Sequence, residues 1–374
     1  VKNLSRPITT LNADERDRLI EHAVDSLDRG EIVVLPTETV YGVFAVARKE
    51  ALSKLRSLTG GRDASDDYTL HLSDLDVVRD ELSLPTPVAR RLVSRLLPGP
   101  VRVVLEQPKE NLQAISEKLG LPEGFFGDEQ SIAIRVPDHP VTRVVLRRAG
   151  VVCVARRLSA ASWVDNNDTG STVEGIDENA RPAPACVIDD GTTHYKVGST
   201  TVTIGLDGRF SVSAHGPVKE DDVLEMLERR VLFVCTGNTC RSPMSACIAR
   251  ALIEKEGPTG ITTIAESAGI AADDEYPATP EAMTVMAERG MDLTGHRSRM
   301  LTAEMIDRAE IVYTMTHMHA QRVMSLAPDA VHKVFPLSEQ SIVEDPIGQH
   351  TDVYRKTADQ LEELIAERLK EIAP

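Results

Sequence analysis

Residues 231–246, VLFVCTGNTCRSPMSA, place a cysteine and an arginine six positions apart, with Gly237, Asn238 and Ser242 between and beside them. A thiolate at Cys235 is a nucleophile for phosphorus. Arg241 has the planar fork that grips two equatorial phosphoryl oxygens, which a lysine cannot do bidentately. Gly237 permits close backbone approach, and Asn238 tolerates the left-handed conformation of a tight concave loop. Thr236, Thr239 and Cys240 complete the loop. Arg241, the Ser242 hydroxyl and the start of a helix all favour the thiolate, so a depressed Cys235 pKa is expected.

That chemistry needs a strand and a helix to hold it. Val231–Val234 is a short apolar run of the kind a central parallel strand shows, and Ser242-Pro243 opens a helix. Amides at such a junction converge on one point and attract an anion there. A cysteine and an arginine at this spacing are weak evidence alone; flanked by strand, glycine, Arg-Ser-Pro and helix they form a motif in context. Displacement by a thiolate also requires an acid for the leaving group. Asp345, followed by Pro346 and Gly348 in a polar stretch, is the candidate, although an isolated Asp-Pro is usually an ordinary turn.

Beyond the loop, SAG at 267–269, ATPEA at 278–282, GHRSR at 295–299, MTH at 315–317, EDPIG and DVYRKTADQLEELI at 352–365 make residues 230–374 resemble the low-molecular-weight cysteine phosphatases, in particular the bacterial protein-arginine phosphatases. The resemblance implies a doubly wound parallel sheet, a phosphocysteine intermediate without a metal or other cofactor, and a phosphorylated protein as substrate. It also makes Asp345 the acid that protonates the leaving group and then activates water. Two positions point toward phosphoarginine: Thr239, where tyrosine-directed relatives carry a bulkier isoleucine, and Ile347-Gly348, where they present aromatic rings. The alternative is an ordinary protein-tyrosine phosphatase.

At 374 residues the chain exceeds one ordinary core. The expected division is a domain over 1–216, a linker over 217–229 and a domain over 230–374. Net charge is −16, and acidic residues exceed basic ones in both halves, which argues against a non-specific nucleic-acid binder. Five scattered cysteines, at 153, 186, 235, 240 and 247, argue for reduced thiols, and no spacing matches a metal site. With no apolar run long enough for a membrane span and no signal-peptide core, a cytoplasmic protein is expected.

The first half is read as α/β or α+β. Helices are expected over 11–30, 49–58, 86–97 and 139–149. Strands are expected near 31–36, 68–72, 101–105, 131–136, 151–155, 185–189 and 200–204. PTETVYG at 36–42, PGP at 98–100, IAIRVPDHP at 132–140 and GSTTV at 198–202 resemble the threonylcarbamoyl-AMP synthase (YrdC-like) family over roughly residues 10–216. That resemblance implies a twisted open sheet with a concave face, and condensation of threonine, bicarbonate and ATP for tRNA modification. Thr39, Arg62, His71, Arg135 and Thr201 then correspond to ligand-contacting residues. Several pieces depart from the family. Its Lys-x-Arg has become Gly60-Gly61-Arg62, its Ser-x-Asn segment is replaced by ARRLSAAS at 155–162, Arg102 stands where a threonine is common, and Asp66-Asp67 adds negative charge beside a triphosphate site. An eroded site on a retained scaffold is expected, with ATP or threonine binding in doubt.

Cys240 has two open readings, a disulfide with Cys235 under oxidation or a small side chain packed under the loop. His296, His317 and His319 are expected to be structural or exposed, and Met283, Met286 and Met291 core filler. Of the competing functional classes, a thiol-coupled arsenate reductase lacks the further cysteines it needs after Cys247. A working synthase with an accessory phosphatase, or a binding module that delivers the phosphatase, are the alternatives for the first half.

Overall fold

The computed structural model describes residues 7–59, 68–127, 130–164, 169–177, 183–214, 216–257 and 259–372. The chain forms two compact units, Val1–Met226 and Leu227–Pro374.

The first unit carries strands β1 (Val33–Leu35), β2 (Gly42–Val46), β3 (Thr69–His71), β4 (Val101–Glu106), β5 (Ser131–Arg135), β6 (Cys153–Arg157), β7 (Cys186–Val187), β8 (Thr200–Ile204) and β9 (Phe210–Ala214). Between and after them lie α1 (Ala13–Asp28), α2 (Lys49–Thr59), α3 (Leu75–Glu81), α4 (Pro87–Leu96), α5 (Lys109–Lys118), α6 (Pro140–Ala149) and α7 (Glu220–Met226). Among the described residues the strands form one mixed sheet in the order β7-β1-β2-β6-β3-β5-β4-β8-β9. Parallel register sets His71 beside Arg135 and Arg102 beside Thr201.

Sequence boundaries and structure differ in informative places. β2 is a separate strand, paired antiparallel to β1 across the Pro36–Tyr41 loop; all five of its residues are buried. Residues 217–229, a charged segment with a helix-like pattern, were expected as a linker. There Val218 exchanges hydrogen bonds with the Thr200 hydroxyl, the helical stretch forms α7, and Arg91 Nε donates to the Met226 carbonyl at 2.7 Å. The charged pattern there belongs to a docked helix with Val223 buried.

The second unit is a doubly wound α/β fold. Its strands β10 (Glu228–Cys235), β11 (Thr262–Gly269), β12 (Ile311–Thr314) and β13 (Val334–Pro336) form a parallel sheet in the order β11-β10-β12-β13. The helices are α8 (Arg241–Glu256), α9 (Pro280–Glu288), α10 (Ala303–Arg308), α11 (His317–Leu326) and α12 (Thr351–Glu371). α8 is apolar or small over most of its first nine residues, all of which are buried. It lies in a core shared with Phe233, Tyr313, Met286 and the Tyr354, Leu361 and Ile365 face of α12. A helical segment buried all round needs no polar face. The strand order reverses at β10, so the crevice for a ligand lies at its carboxyl end, where Cys235 is.

Candidate active site

β10 delivers Cys235 to the end of the sheet and α8 begins at Arg241, leaving 236–240 as the connecting loop. The threonines at 279, 302 and 316 cap α9, α10 and α11 with their side chains, whereas α8 has Cys240 at its N-cap and no side-chain cap. Its first amides are therefore not occupied by a capping hydroxyl, which suits an anion.

The loop is held from behind. Asn238, fully buried with φ +54°, uses its Nδ2 to donate to Ser242 Oγ (2.9 Å) and Ser267 Oγ (3.0 Å). Its Oδ1 accepts the Arg299 N–H at 3.0 Å, and its carbonyl lies 2.7 Å from His296 Nε2. Gly269 permits this packing: a Cβ there would stand 2.4 Å from the Thr236 carbonyl oxygen. Gly237 behaves differently. A Cβ there would meet only Thr239 Oγ1, at 3.6 Å, so protein packing does not demand the glycine. Thr239 is half-buried, and its carbonyl accepts the Thr279 N–H at 3.0 Å.

Cys235 Sγ lies 2.9 Å from Ser242 Oγ. Burial pushes the thiol up from its ordinary value, against the depressed value expected from sequence. The Ser242 hydroxyl and N–H, the Arg241 charge and the Asn238 N–H all pull the other way. The contacts that favour a thiolate are thus in place, but desolvation of a residue only 3% exposed outweighs them. Arg241 is also buried. Its Nη1 donates to the Val343 carbonyl at 3.1 Å, its Nη2 to Asp345 Oδ2, and its Nε has no partner. The second Asp345 oxygen accepts the Ile347 N–H at 3.3 Å, while the Ile347 side chain is exposed. The structure thus gathers Cys235, the loop, Ser242, Arg241 and Asp345 at one sheet end. Such a set can bind a phosphoryl group, attack it and protonate what leaves.

A family model described as low molecular weight phosphotyrosine protein phosphatase matches residues 230–373, and the Sua5/YciO/YrdC model, described as telomere recombination, matches residues 25–216. The chain belongs to both families. It is a fusion of a YrdC-like domain with a low-molecular-weight cysteine phosphatase domain, the latter a hydrolase related to arginine and tyrosine phosphatases. A protein-arginine-phosphatase of Bacillus subtilis is 38% identical over 147 residues, covering 38% of this chain and 95% of the relative. A low-molecular-weight protein-tyrosine-phosphatase of Escherichia coli is 33% identical over 146 residues, covering 38% and 94%. On the other side, a threonylcarbamoyl-AMP synthase of Bacillus subtilis is 27% identical over 205 residues, covering 54% of this chain and 55% of the relative.

In the YrdC-like domain, Arg135 Nη2 donates to Thr39 Oγ1 at 2.9 Å and to Glu38 Oε1 at 2.8 Å, and its Nε is buried without a partner. His71, Arg135 and Thr201 line one cavity of about 80 Å³, together with Arg102, Arg156 and Arg157. Burial, then the Arg135 and Arg102 charges, bring His71 down to about 3, so it is neutral at pH 7. Arg62 and the Gly60-Gly61 and Asp66-Asp67 departures lie outside the described residues.

Sequence reasoning set three histidines aside, and two of them touch the phosphatase loop. His296 bonds the Asn238 carbonyl; His319 Nε2 lies 2.9 Å from Thr236 Oγ1. Ser267 of the SAG segment and Arg299 of the GHRSR segment also hold Asn238. Cys240 is packed in the core, its Sγ 3.5 Å from Tyr354 Oη and 3.6 Å from Thr279 Oγ1. Met286 is buried, and Met283 and Met291 pack against the same core. Among the described residues no His, Cys, Asp and Glu group could hold a metal ion, and no helix is long and apolar enough to cross a membrane.

Proposed function

We propose that the phosphatase domain hydrolyses phosphoarginine in proteins through a phosphocysteine on Cys235. Arg241 and the loop amides of 236–242 hold the phosphoryl oxygens, and Asp345 protonates the departing guanidinium nitrogen. Asp345 then takes a proton from the water that releases phosphate. The observation that carries the arginine preference is the loop's half-buried Thr239, whose hydroxyl and small apolar surface suit a planar polar guanidinium. Ile347, exposed two positions after Asp345, offers no aromatic face to a phenyl ring, which forgoes about 0.5–1.5 kcal/mol of stacking. The test is kcat/KM on peptides of one sequence bearing phosphoarginine or phosphotyrosine; faster phosphotyrosine turnover would return the domain to the tyrosine-phosphatase reading. A nucleophilic thiol suits a reducing compartment, and we place the protein in the cytoplasm.

We read the YrdC-like domain as a scaffold with an eroded synthase site. Its retained Arg135–Thr39 bond and the shared His71, Arg135 and Thr201 cavity favour a second reading, an active synthase acting in tRNA modification. Pyrophosphate release that requires threonine, bicarbonate and ATP together would establish the second reading; its absence is the expected result.

A further inference from the structure

The parallel register Val234↔Thr314 brings the ends of β10 and β12 level, and the Met315 N–H donates to the Val234 carbonyl at 3.1 Å. Cys235-Thr236 and Met315-Thr316 therefore leave the sheet side by side. Thr316 caps α11, its Oγ1 accepting the His319 N–H at 3.3 Å. The His319 ring folds back over this cap, with Nδ1 2.7 Å from Thr316 Oγ1 and Nε2 2.9 Å from Thr236 Oγ1. Only 1% of the residue is exposed.

Burial and then the Arg241 charge lower His319 to about 4, with the Asp345 charge pulling the other way. At pH 7 the imidazole is neutral, with one N–H and one lone pair. Two hydrogen-bond arrangements satisfy these distances, and in one of them the Thr316 hydroxyl gives its proton to Nδ1. Nε2 then carries the ring proton and donates to Thr236. The Thr236 hydroxyl is left with its own proton to give, on the residue next to the nucleophile.

We propose that His319 takes this arrangement and is a positioning residue of the phosphatase, which fixes Thr236 so that its hydroxyl proton is available to an oxygen of the bound phosphoryl group. This rests on the reading of 236–242 as the phosphoryl cradle. A surviving turnover in Cys235→Ser would sink that reading whatever His319 does, so the two failures are distinguishable.

The experiment uses the full chain with para-nitrophenyl phosphate as substrate and orthovanadate as inhibitor, which avoids any dependence on arginine or tyrosine preference. Thr236→Val and His319→Leu should each lower kcat/KM and weaken vanadate inhibition by roughly tenfold, the usual worth of one hydrogen bond. The double variant should lose no more than either single one, because both remove the same contact. Thr236→Ser should recover most of what Thr236→Val loses. Folded variants with unchanged kcat/KM and vanadate inhibition, or single losses that multiply in the double variant, would overturn the proposal. Should His319→Leu fail to fold, His319→Phe takes its place in the same comparison with Thr236→Val.

Discussion

Arg241 and Asp345 are joined by an ion pair through Nη2 and Oδ2, one partner buried and the other partly exposed. The group that binds phosphate and the group that supplies the proton thus share a contact. A phosphoryl group that engages Arg241 competes with the carboxylate for the same guanidinium, and Asp345 can act as an acid only when it carries a proton. Asp345→Asn should lower kcat by roughly 10²- to 10⁴-fold on substrates whose leaving group must be protonated. The loss should shrink for a leaving group that departs as a stable anion. Equal losses across a leaving-group series would make Asp345 a positioning residue only.

Thr239→Ile should lower activity on phosphoarginine and raise it, relatively, on phosphotyrosine. The larger isoleucine side chain crowds the guanidinium and, lacking the hydroxyl, leaves its donors unpaired, while adding apolar surface for a phenyl ring. The check is the ratio of kcat/KM values on the two peptides, before and after the change. An unmoved ratio would make the threonine neutral.

Gly269→Ala should damage the site from behind. The new Cβ would meet the Thr236 carbonyl at 2.4 Å and the Asn238 nitrogen at 2.9 Å, both backbone atoms of the loop. Overpacking of this kind costs about 1–3 kcal/mol. Chemical denaturation should register that loss, and orthovanadate inhibition should weaken with it.

The loop could be read from sequence because its determinants are local: an apolar strand, a glycine-asparagine turn and a Ser-Pro helix start all lie within 231–246. β11 was not visible. Its buried positions are Ala265, Ser267, Ala268 and Gly269, small residues that let α8 and the loop pack closely and leave no apolar alternation. His319 escaped for another reason. Its partner Thr236 lies 83 residues earlier, and only the β10–β12 register joins them. Spacing shows the charges and hydroxyls around the Cys235 sulfur but not its burial, which pushes the thiol the other way.

The pH dependence of stability should carry the mark of His319. An unfolded chain protonates this histidine near 6.5 and the folded one only near 4, so between those values the unfolded state binds more protons. Stability from this group is complete above pH 6.5 and declines as pH falls toward 4. Calorimetric melting of the full chain across that window should show a shallower decline in His319→Leu than in wild type. Parallel declines would remove His319 from the account.

The most direct measurement is acid quenching of the full-length enzyme during turnover of a phosphorylated substrate, followed by mass spectrometry of the peptide containing Cys235. The account predicts one phosphoryl group on Cys235 in the wild-type enzyme, its accumulation in Asp345→Asn where water activation is slowed, and no turnover in Cys235→Ser. Continued turnover by Cys235→Ser, or a phosphoryl group carried by another residue, would contradict it.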